Sequence, residues 1–488
     1  MLETAEQGLK VSKDEYAAAE PQLRVDLINA QYDLMNSDFS VVLVITGDDR
    51  IGLNETIQCM HAWMDARYLE THIFQLPSRE EQERPRFWRY WRALPPKGKI
   101  GVYVGAWPLN AVVDRVRGRI DGDEFAHRLA HIRQLEQDLA NDGTLVLKFW
   151  MHIPKKDLKK RLKRAEKNKD DAWQVEDTDW EVYDIYDAAM PYVETLLEAT
   201  HTKSCPWQVV ESCNDRFRDL TFGKALLEAL QQRFAASPAP APVPPEVGDF
   251  PDALGEVDLS RKLDRDEYKS ALRKHQARLA KFTRQARRQG LTSVLVFEGW
   301  DAAGKGGVIR RITQAVAVRD YQLVPVAAPT DEERARHYLW RFWRQLPQAG
   351  RMVIFDRSWY GRVLVERVEG FASEEAWRRA YEEINDFESQ LAEHGMVVQK
   401  FWLHVDRDEQ LRRFKAREQT PYKKYKITEE DYRNREKWDA YTAAVNEMVA
   451  RTSTASAPWH LIAANDKPSA RVQVLKTVAD AFKQALKA

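Results

Sequence analysis

The sequence predicts an α/β protein made of two tandem three-layer domains with mostly parallel sheets, and three observations predict it. The first is a long internal echo at a constant offset of 252, which pairs Trp88-Arg89 with Trp340-Arg341 and Lys148-Phe149-Trp150 with Lys400-Phe401-Trp402. In both copies, secondly, short apolar runs alternate with polar or amphipathic stretches of helical length, the pattern of a sheet covered by helices. Thirdly, the run Ser237 to Pro245 is rich in proline and lies between the copies, as an extended, semi-rigid spacer would. The predicted boundaries are a first domain over 1–235, a linker over 236–255 and a second domain over 256–488.

Composition agrees with that organisation. A chain of 488 residues is too long for one hydrophobic core. Hydrophobic content of 44% with 31% charged residues is ordinary for a globular protein. Lys plus Arg and Asp plus Glu are 75 each, so no global charge drives binding to nucleic acid or an anionic membrane. Cys59, Cys205 and Cys213 form no CxxC pair, which predicts ordinary thiols in a reducing compartment. The polar start, Met1-Leu2-Glu3-Thr4-Ala5-Glu6-Gln7, lacks the features of a signal peptide, and no apolar run approaches a membrane span. A cytoplasmic location is the expectation.

The elements follow in order. In the first copy, strands are expected at Val41 to Ile45, His72 to Phe74, Ile100 to Val104 and Leu145 to His152. Residues 266–289 of the second copy read as a helix ended by Gly290. Strands are expected after it at Ser293 to Phe297, Gln322 to Val326, Met352 to Phe355, Val397 to Leu403 and His460 to Ala463. Register extends over more than 190 residues, from Asp14-Glu15-Tyr16 with Asp266-Glu267-Tyr268 to Trp207 with Trp459, so one domain is present twice.

Only the second copy keeps a phosphate motif. Gly299-x4-Gly304-Lys305-Gly306 falls where an apolar strand ends and a helix begins, the context of a P-loop. Backbone N–H groups of Gly299, Ala302, Ala303, Gly304, Lys305, Gly306 and Gly307 can curl around phosphate oxygens there, and Lys305 adds a point charge. Gly306 stands where many P-loops carry the Ser or Thr that ligates Mg²⁺, and Asp301 offers a replacement oxygen ligand. Val353-Ile354-Phe355-Asp356-Arg357 is a strand ending in an acid. Asp356 can ligate Mg²⁺ there and Arg357 can stabilise a transferring phosphate, although an Asp-Arg pair also serves as a strand-end ion pair. In the first copy Lys305, Asp356 and Arg357 become Leu53, Val104 and Gly105, lost together as one unit would be, while Asp301 persists as Asp49 without explanation.

A basic stretch holds Arg412, Arg413, Lys415, Arg417, Lys423, Lys424, Lys426, Arg433, Arg435 and Lys437. It is dense enough for a polyanion longer than a triphosphate, closing as a helical lid. A solvated helix face is the alternative, and the first copy is also basic from Lys155 to Lys169, which leaves a nonreacting anion site open there. The interleaved aromatics and arginines of His337 to Arg344 read mainly as core, since Trp88 and Trp91 persist in the degenerate copy, with Arg341 able to reach an anion. Asn465-Asp466-Lys467 follows the last strand, where such kinases often hold a base or ribose.

Together these motifs resemble the polyphosphate kinase 2 family, and most closely its two-domain class. The resemblance is carried by Gly299 to Gly307, Pro329-Thr330 with Glu332-Glu333, Tyr338 to Arg341 with Leu346-Pro347 and Gly350, Asp356 to Tyr360 continuing to Arg367, and Lys437-Trp438-Asp439-x-Tyr441. It covers roughly residues 14–234 and 266–486.

The resemblance implies tandem P-loop-kinase-like domains and Mg²⁺-dependent phosphoryl transfer from inorganic polyphosphate to a nucleotide, AMP giving ADP, with GMP and GDP left open. It implies catalytic roles for Asp301, Lys305, Asp356 and Arg357, and metal ligation by Asp301 and Asp356. Phosphate contacts are expected from the loop and from Arg341, Arg367, Arg413, Arg417, Lys423 and Lys424, and nucleotide contacts from Asp439, Asn465 and Asp466. Many single-domain members have Asn-Arg-Ser-His-Tyr-Glu-Asp where this chain has Asp356-Arg357-Ser358-Trp359-Tyr360-Gly361-Arg362, which leaves acceptor choice open. An ATP-dependent nucleoside or nucleotide kinase is the rival enzyme, and a non-enzymatic polyanion binder the rival of another class. The first copy is expected to be catalytically silent, and a homodimer remains open.

Overall fold

The computed structural model describes residues 1–169, 172–236, 250–421, 425, 427 and 429–487. The proline-rich spacer therefore lies outside the described residues. The chain divides into two compact units, Met1–Pro77 with Arg89–Ala239 and Asp331–Trp340, and Ser78–Trp88 with Pro240–Thr330 and Arg341–Ala488.

The first copy runs α1 (Lys13–Met35), β1 (Val41–Gly47), α2 (Arg50–Trp63), β2 (Leu69–Ile73), β3 (Ile100–Val104), α3 (Trp107–Val116) and α4 (Gly122–Asn141). It continues with β4 (Leu145–His152), α5 (Lys155–Lys167), α6 (Asp177–Thr200), β5 (Trp207–Glu211) and α7 (Asp215–Ala235). The second runs α8 (Arg265–Gln289), β6 (Ser293–Gly299), α9 (Lys305–Thr313), β7 (Tyr321–Pro325), β8 (Met352–Asp356), α10 (Glu374–Glu393) and β9 (Val397–His404). It ends with α11 (Arg407–Glu418), α12 (Glu429–Glu436), α13 (Trp438–Thr452), β10 (Trp459–Ala463) and α14 (Lys467–Ala485).

Both sheets are five-stranded and parallel throughout, in the orders β2-β3-β1-β4-β5 and β7-β8-β6-β9-β10. Their registers repeat at the sequence offset, Val41 facing Ile100 as Ser293 faces Met352. The two α/β domains and their parallel sheets are thus as expected, and the strand missing from the sequence reading is β5. Its central residues Gln208 and Val209 are partly exposed, so it lacks the apolar run of an inner strand; only the match of Trp207 to Trp459 marks it.

Central strands are apolar because helices cover both faces. Val294, Leu295, Val296 and Phe297 of β6 are fully buried, each contributing roughly 1.5–3 kcal/mol through burial. Helix α8 starts with a capping box at Asp264 and stops at Gly290, whose φ of 73° is the left-handed conformation that ends helices. The tryptophans Trp88, Trp91, Trp340 and Trp343 are all buried, in keeping with core packing.

A buried ion pair recurs in each copy. Lys400 Nζ donates to Glu388 Oε2 at 2.6 Å and to the Thr452 carbonyl at 2.6 Å, while Trp359 Nε1 donates to Glu388 Oε1 at 3.0 Å. In the first copy Lys148, Glu136, Thr200 and Trp107 repeat every one of these contacts. A network kept where the phosphate motif is lost belongs to the fold.

Candidate active site

The order of the second sheet places β6 between β8 and β9, so the loop after β6 opens at the carboxyl edge where such sheets bind ligands. Phe297 of β6 is paired with Asp356 of β8, which brings the acid beside the loop. Gly299 has φ 147°, and a Cβ there would lie 2.6 Å from the Leu403 carbonyl oxygen, so only glycine fits. Gly304 has φ 114°, and Ala302 takes the left-handed φ of 61° despite its side chain. The backbone N–H groups of Asp301, Ala302, Gly304, Lys305 and Gly306 have no acceptor among the described residues. Five such donors at the start of α9 form a cradle for an anion.

Lys305 Nζ folds back onto the Gly299 carbonyl at 2.6 Å, and burial lowers its pKa. Arg357 Nη2 reaches Asp301 Oδ1 at 3.2 Å. Arg357 itself has φ 65°, a left-handed conformation that costs a side-chain-bearing residue about 1–2 kcal/mol. Its counterpart Gly105 has φ 61°, so the backbone turn is common to both copies and only the second places a cation on it. Asp356 is half-buried; its main-chain carbonyl accepts from the Val326 N–H, and its carboxylate has no hydrogen-bond or ion-pair partner among the described residues. Asp301, Lys305, Asp356 and Arg357 therefore converge.

Four further residues join them that the sequence reading missed. Glu298 is buried, accepts from Ser358 Oγ at 2.8 Å, and has its pKa raised by burial against the opposing charge of Lys305. Asn434 of α12 donates from Nδ2 to Asp301 Oδ2 at 3.1 Å. Trp300 stacks on Trp438 with centroids 3.8 Å apart and rings 5° from parallel, and donates to His404 Nδ1 at 3.0 Å. Burial depresses His404 to about 4, leaving the neutral ring able to accept. The signal for them was the offset: Glu298, Asn434, Trp300 and Trp438 face Thr46, Val182, Asp48 and Tyr186.

Other expected site residues take different places. Arg413 is 3% exposed; it donates to the carbonyls of Ala302, Ala303, Ala464 and Asn465 and pairs with Glu409, bracing the loop from below. Arg367 pairs with Glu447 at 2.7 Å, donates to Tyr381 and lies over Trp377. Arg341 donates to the Ala327 carbonyl at 2.7 Å. Arg417 lies half-buried near the end of α11, and Lys423 and Lys424 lie outside the described residues. Asp439 is exposed on the first turn of α13. Asn465 bonds Asp406, and Asp466 caps α14 as Asn214 caps α7, a role the copies share.

The first copy has no such loop. Helix α2 begins at Arg50, which matches Ala302, so three residues of the loop have become helix. Asp49 supplies the cap, accepting from the Gly52 N–H, and binds Arg161 and Ser212 Oγ. Its carboxylate occupies the helix start where an anion would sit. The survival of Asp49 thus has a structural cause: it is fully buried and paired with Arg161, the counterpart of Arg413.

The profile of the family described as polyphosphate kinase 2 matches residues 10–238 and again 262–488. The chain belongs to the polyphosphate kinase 2 family. It is 48% identical over 494 residues to a polyphosphate:AMP phosphotransferase of Pseudomonas aeruginosa, covering 100% of this chain and 99% of that one. A polyphosphate:AMP phosphotransferase of Pseudomonas syringae is 44% identical over 99% of each chain. A crystal structure of a polyphosphate kinase 2 from Pseudomonas aeruginosa superposes with a TM-score of 0.92 at 47% identity, covering 100% of this chain and 99% of that one. Similarity thus spans both copies, the degenerate one included.

Proposed function

We propose that this protein transfers the terminal phosphoryl group of inorganic polyphosphate to AMP, giving ADP and a donor chain shorter by one phosphate. The observation that carries this reading is the cradle of five N–H groups without an acceptor among the described residues, beside Lys305, Asp356 and Arg357, in a chain similar end to end to polyphosphate:AMP phosphotransferases. An oxygen of the AMP phosphate attacks the terminal phosphorus, and the bridging oxygen of the donor leaves with its electron pair. The nucleophile is already anionic near pH 7, so alignment and charge neutralisation carry the rate rather than a strong base. Lys305 and Arg357 hold phosphate oxygens while the cradle holds the donor end.

Mg²⁺ fits the donor set, since it commonly binds through one or two carboxylates and keeps waters and phosphates as its other ligands. Asp301 and Asp356 would hold it, and bound there it would neutralise charge on the phosphates. Asp356, whose carboxylate has no partner among the described residues, is the acid best placed to take a cation. The first copy, without cradle, lysine or acid, is read as catalytically silent.

Purified protein offered AMP with polyphosphate, and AMP with ATP, tests the reading. Polyphosphate is expected to be the better donor by at least tenfold, and preference for ATP would favour an ordinary nucleotide kinase. GMP in the same assay tests acceptor tolerance. Turnover is expected to stop with EDTA and return with Mg²⁺; persistence in EDTA would remove the cation from the mechanism.

A further inference from the structure

The turn that carries Asp356 and Arg357 is tied to the strand before the loop by a relay of hydrogen bonds. Ser358 Oγ donates to Glu298 Oε1 at 2.8 Å and accepts from the Tyr360 N–H at 3.2 Å, so the hydroxyl is used as donor and as acceptor. The Arg357 N–H donates to the Phe297 carbonyl at 3.0 Å, one residue before Glu298. Glu298 and Ser358 are both buried. The left-handed backbone of Arg357, at φ 65°, is thus held through its own N–H and through the side chain of the next residue.

The first copy makes the same turn without the relay. There Glu298, Ser358 and Tyr360 correspond to Thr46, Ala106 and Pro108. Thr46 Oγ1 is buried with no hydrogen-bond partner among the described residues, Ala106 supplies no side-chain cap, and Pro108 has no N–H to satisfy. Gly105 adopts φ 61° without the cost that a side chain brings, so that turn needs no outside hold. Capping alone does not account for Glu298, since a hydroxyl caps a turn unaided and a buried carboxylate is costly. Burial raises its pKa, and Lys305, Ser358 and Arg357 oppose that rise, so the acid faces both cations directed at the phosphate. It stands only in the copy whose turn bears an arginine.

We infer that Glu298 and Ser358 are positioning residues, which hold the left-handed turn at Arg357 so that its guanidinium stays aimed at the transferring phosphate. The assignment rests on the function proposed above. Neither side chain has to touch a substrate: Glu298 fixes the hydroxyl, the hydroxyl fixes the turn, and the turn fixes the cation. Without the relay the arginine backbone can relax toward the right-handed conformations that side chains prefer, and the cation moves with it. A displacement of about 1 Å in such a site costs on the order of a hundredfold in rate.

The test is a kinetic double-mutant cycle on the full chain, with Ser358→Ala and Arg357→Gly made singly and together and assayed with AMP and sodium polyphosphate of defined length. Alone, Ser358→Ala is expected to lower kcat at least tenfold while KM for either substrate changes less than twofold, because the hydroxyl acts through the arginine. In the Arg357→Gly background the same change is expected to move kcat less than twofold, since no cation is left to aim. Loss of the Tyr360 cap, a purely structural effect, is common to both backgrounds, so equal losses in the two would overturn the relay. A Ser358→Ala kcat within twofold of the parent, or a change confined to KM, would overturn it as well. Glu298→Thr, which installs the residue of the first copy, goes through the same cycle with the same expectations, and it decides the matter if Ser358→Ala fails to fold. If the parent protein does not transfer phosphate from polyphosphate to AMP, the proposed function falls and the relay with it; if it does and the cycle is additive, the relay alone falls.

Discussion

Replacing Arg357 by glycine should separate activity from stability within one residue. The parent side chain sits on a left-handed backbone at φ 65°, a strain of about 1–2 kcal/mol that glycine relieves. Glycine brings extra freedom to the unfolded chain, worth about 0.5–1 kcal/mol in the other direction. The lost ion pair with Asp301 joins a guanidinium 49% exposed to a carboxylate 17% exposed and contributes under about 1 kcal/mol. These terms nearly cancel, so the unfolding midpoint should move by less than about 4 °C. The cation is expected to act on the transferring phosphate, where loss of such a group costs about a thousandfold in rate, or roughly 4 kcal/mol. Arg357→Ala supplies the contrast: it loses the same cation but keeps the strain, and should be about 1 kcal/mol less stable than the glycine variant. Thermal unfolding followed by circular dichroism and kcat/KM with polyphosphate and AMP measure the two axes. A glycine variant that keeps a tenth of the activity, or melts more than 10 °C lower, would refute the reasoning.

Asp356→Ala should abolish turnover and leave the midpoint within about 2 °C, because the carboxylate has no partner among the described residues; retained turnover in the same assay removes it from the mechanism. Lys400→Met should lower stability by about 3–5 kcal/mol, measured by urea unfolding, since Glu388 is left buried without its cation. A loss below 1 kcal/mol would show that Glu388 simply protonates. His152 is buried, and its bonds to Asp48 and Glu6 outweigh desolvation and raise its pKa to about 8 from an ordinary 6.5. Its contribution, about 2 kcal/mol, is full below pH 6.5 and lost as pH rises through 8. His152→Gln should flatten the pH dependence of the first transition between pH 6 and 9, and an unchanged profile would refute the assignment.

The fold was legible because its signals are local: apolar runs, helix stops such as Gly290, and a repeat that doubles each of them. The cradle was legible for the same reason, since a P-loop is one contiguous segment whose glycines have a geometric cause. What the sequence left hidden depends on partners far along the chain. Arg413 and Arg357 are both cations near the cradle, yet one is spent on four carbonyl oxygens while the other reaches Asp301 in the site, and no spacing rule separates a brace from a ligand. Asn434 reaches Asp301 across 133 positions. It stands in a helix that breaks at Lys437, where the first copy has the unbroken α6.

The same comparison explains why a shared residue is poor evidence of shared chemistry. Asp49 and Asp301 align, and each lies beside an arginine from the following basic helix. In the first copy Arg161 binds the carboxylate itself, which turns inward to cap α2. In the second, Arg413 binds the loop carbonyls instead, and Asp301 stays in the site between Arg357 and Asn434. The difference follows from the loop: with the helix starting three residues later, the Gly304 N–H, counterpart of the Gly52 N–H that Asp49 satisfies, has no acceptor among the described residues, and strain stands at Ala302 and Arg357. Native structures rarely leave such groups and conformations uncompensated. Copy one relaxed each of them, through a helical turn, a capping acid and Gly105, so the cost borne by the second copy is a property of the site rather than of the fold.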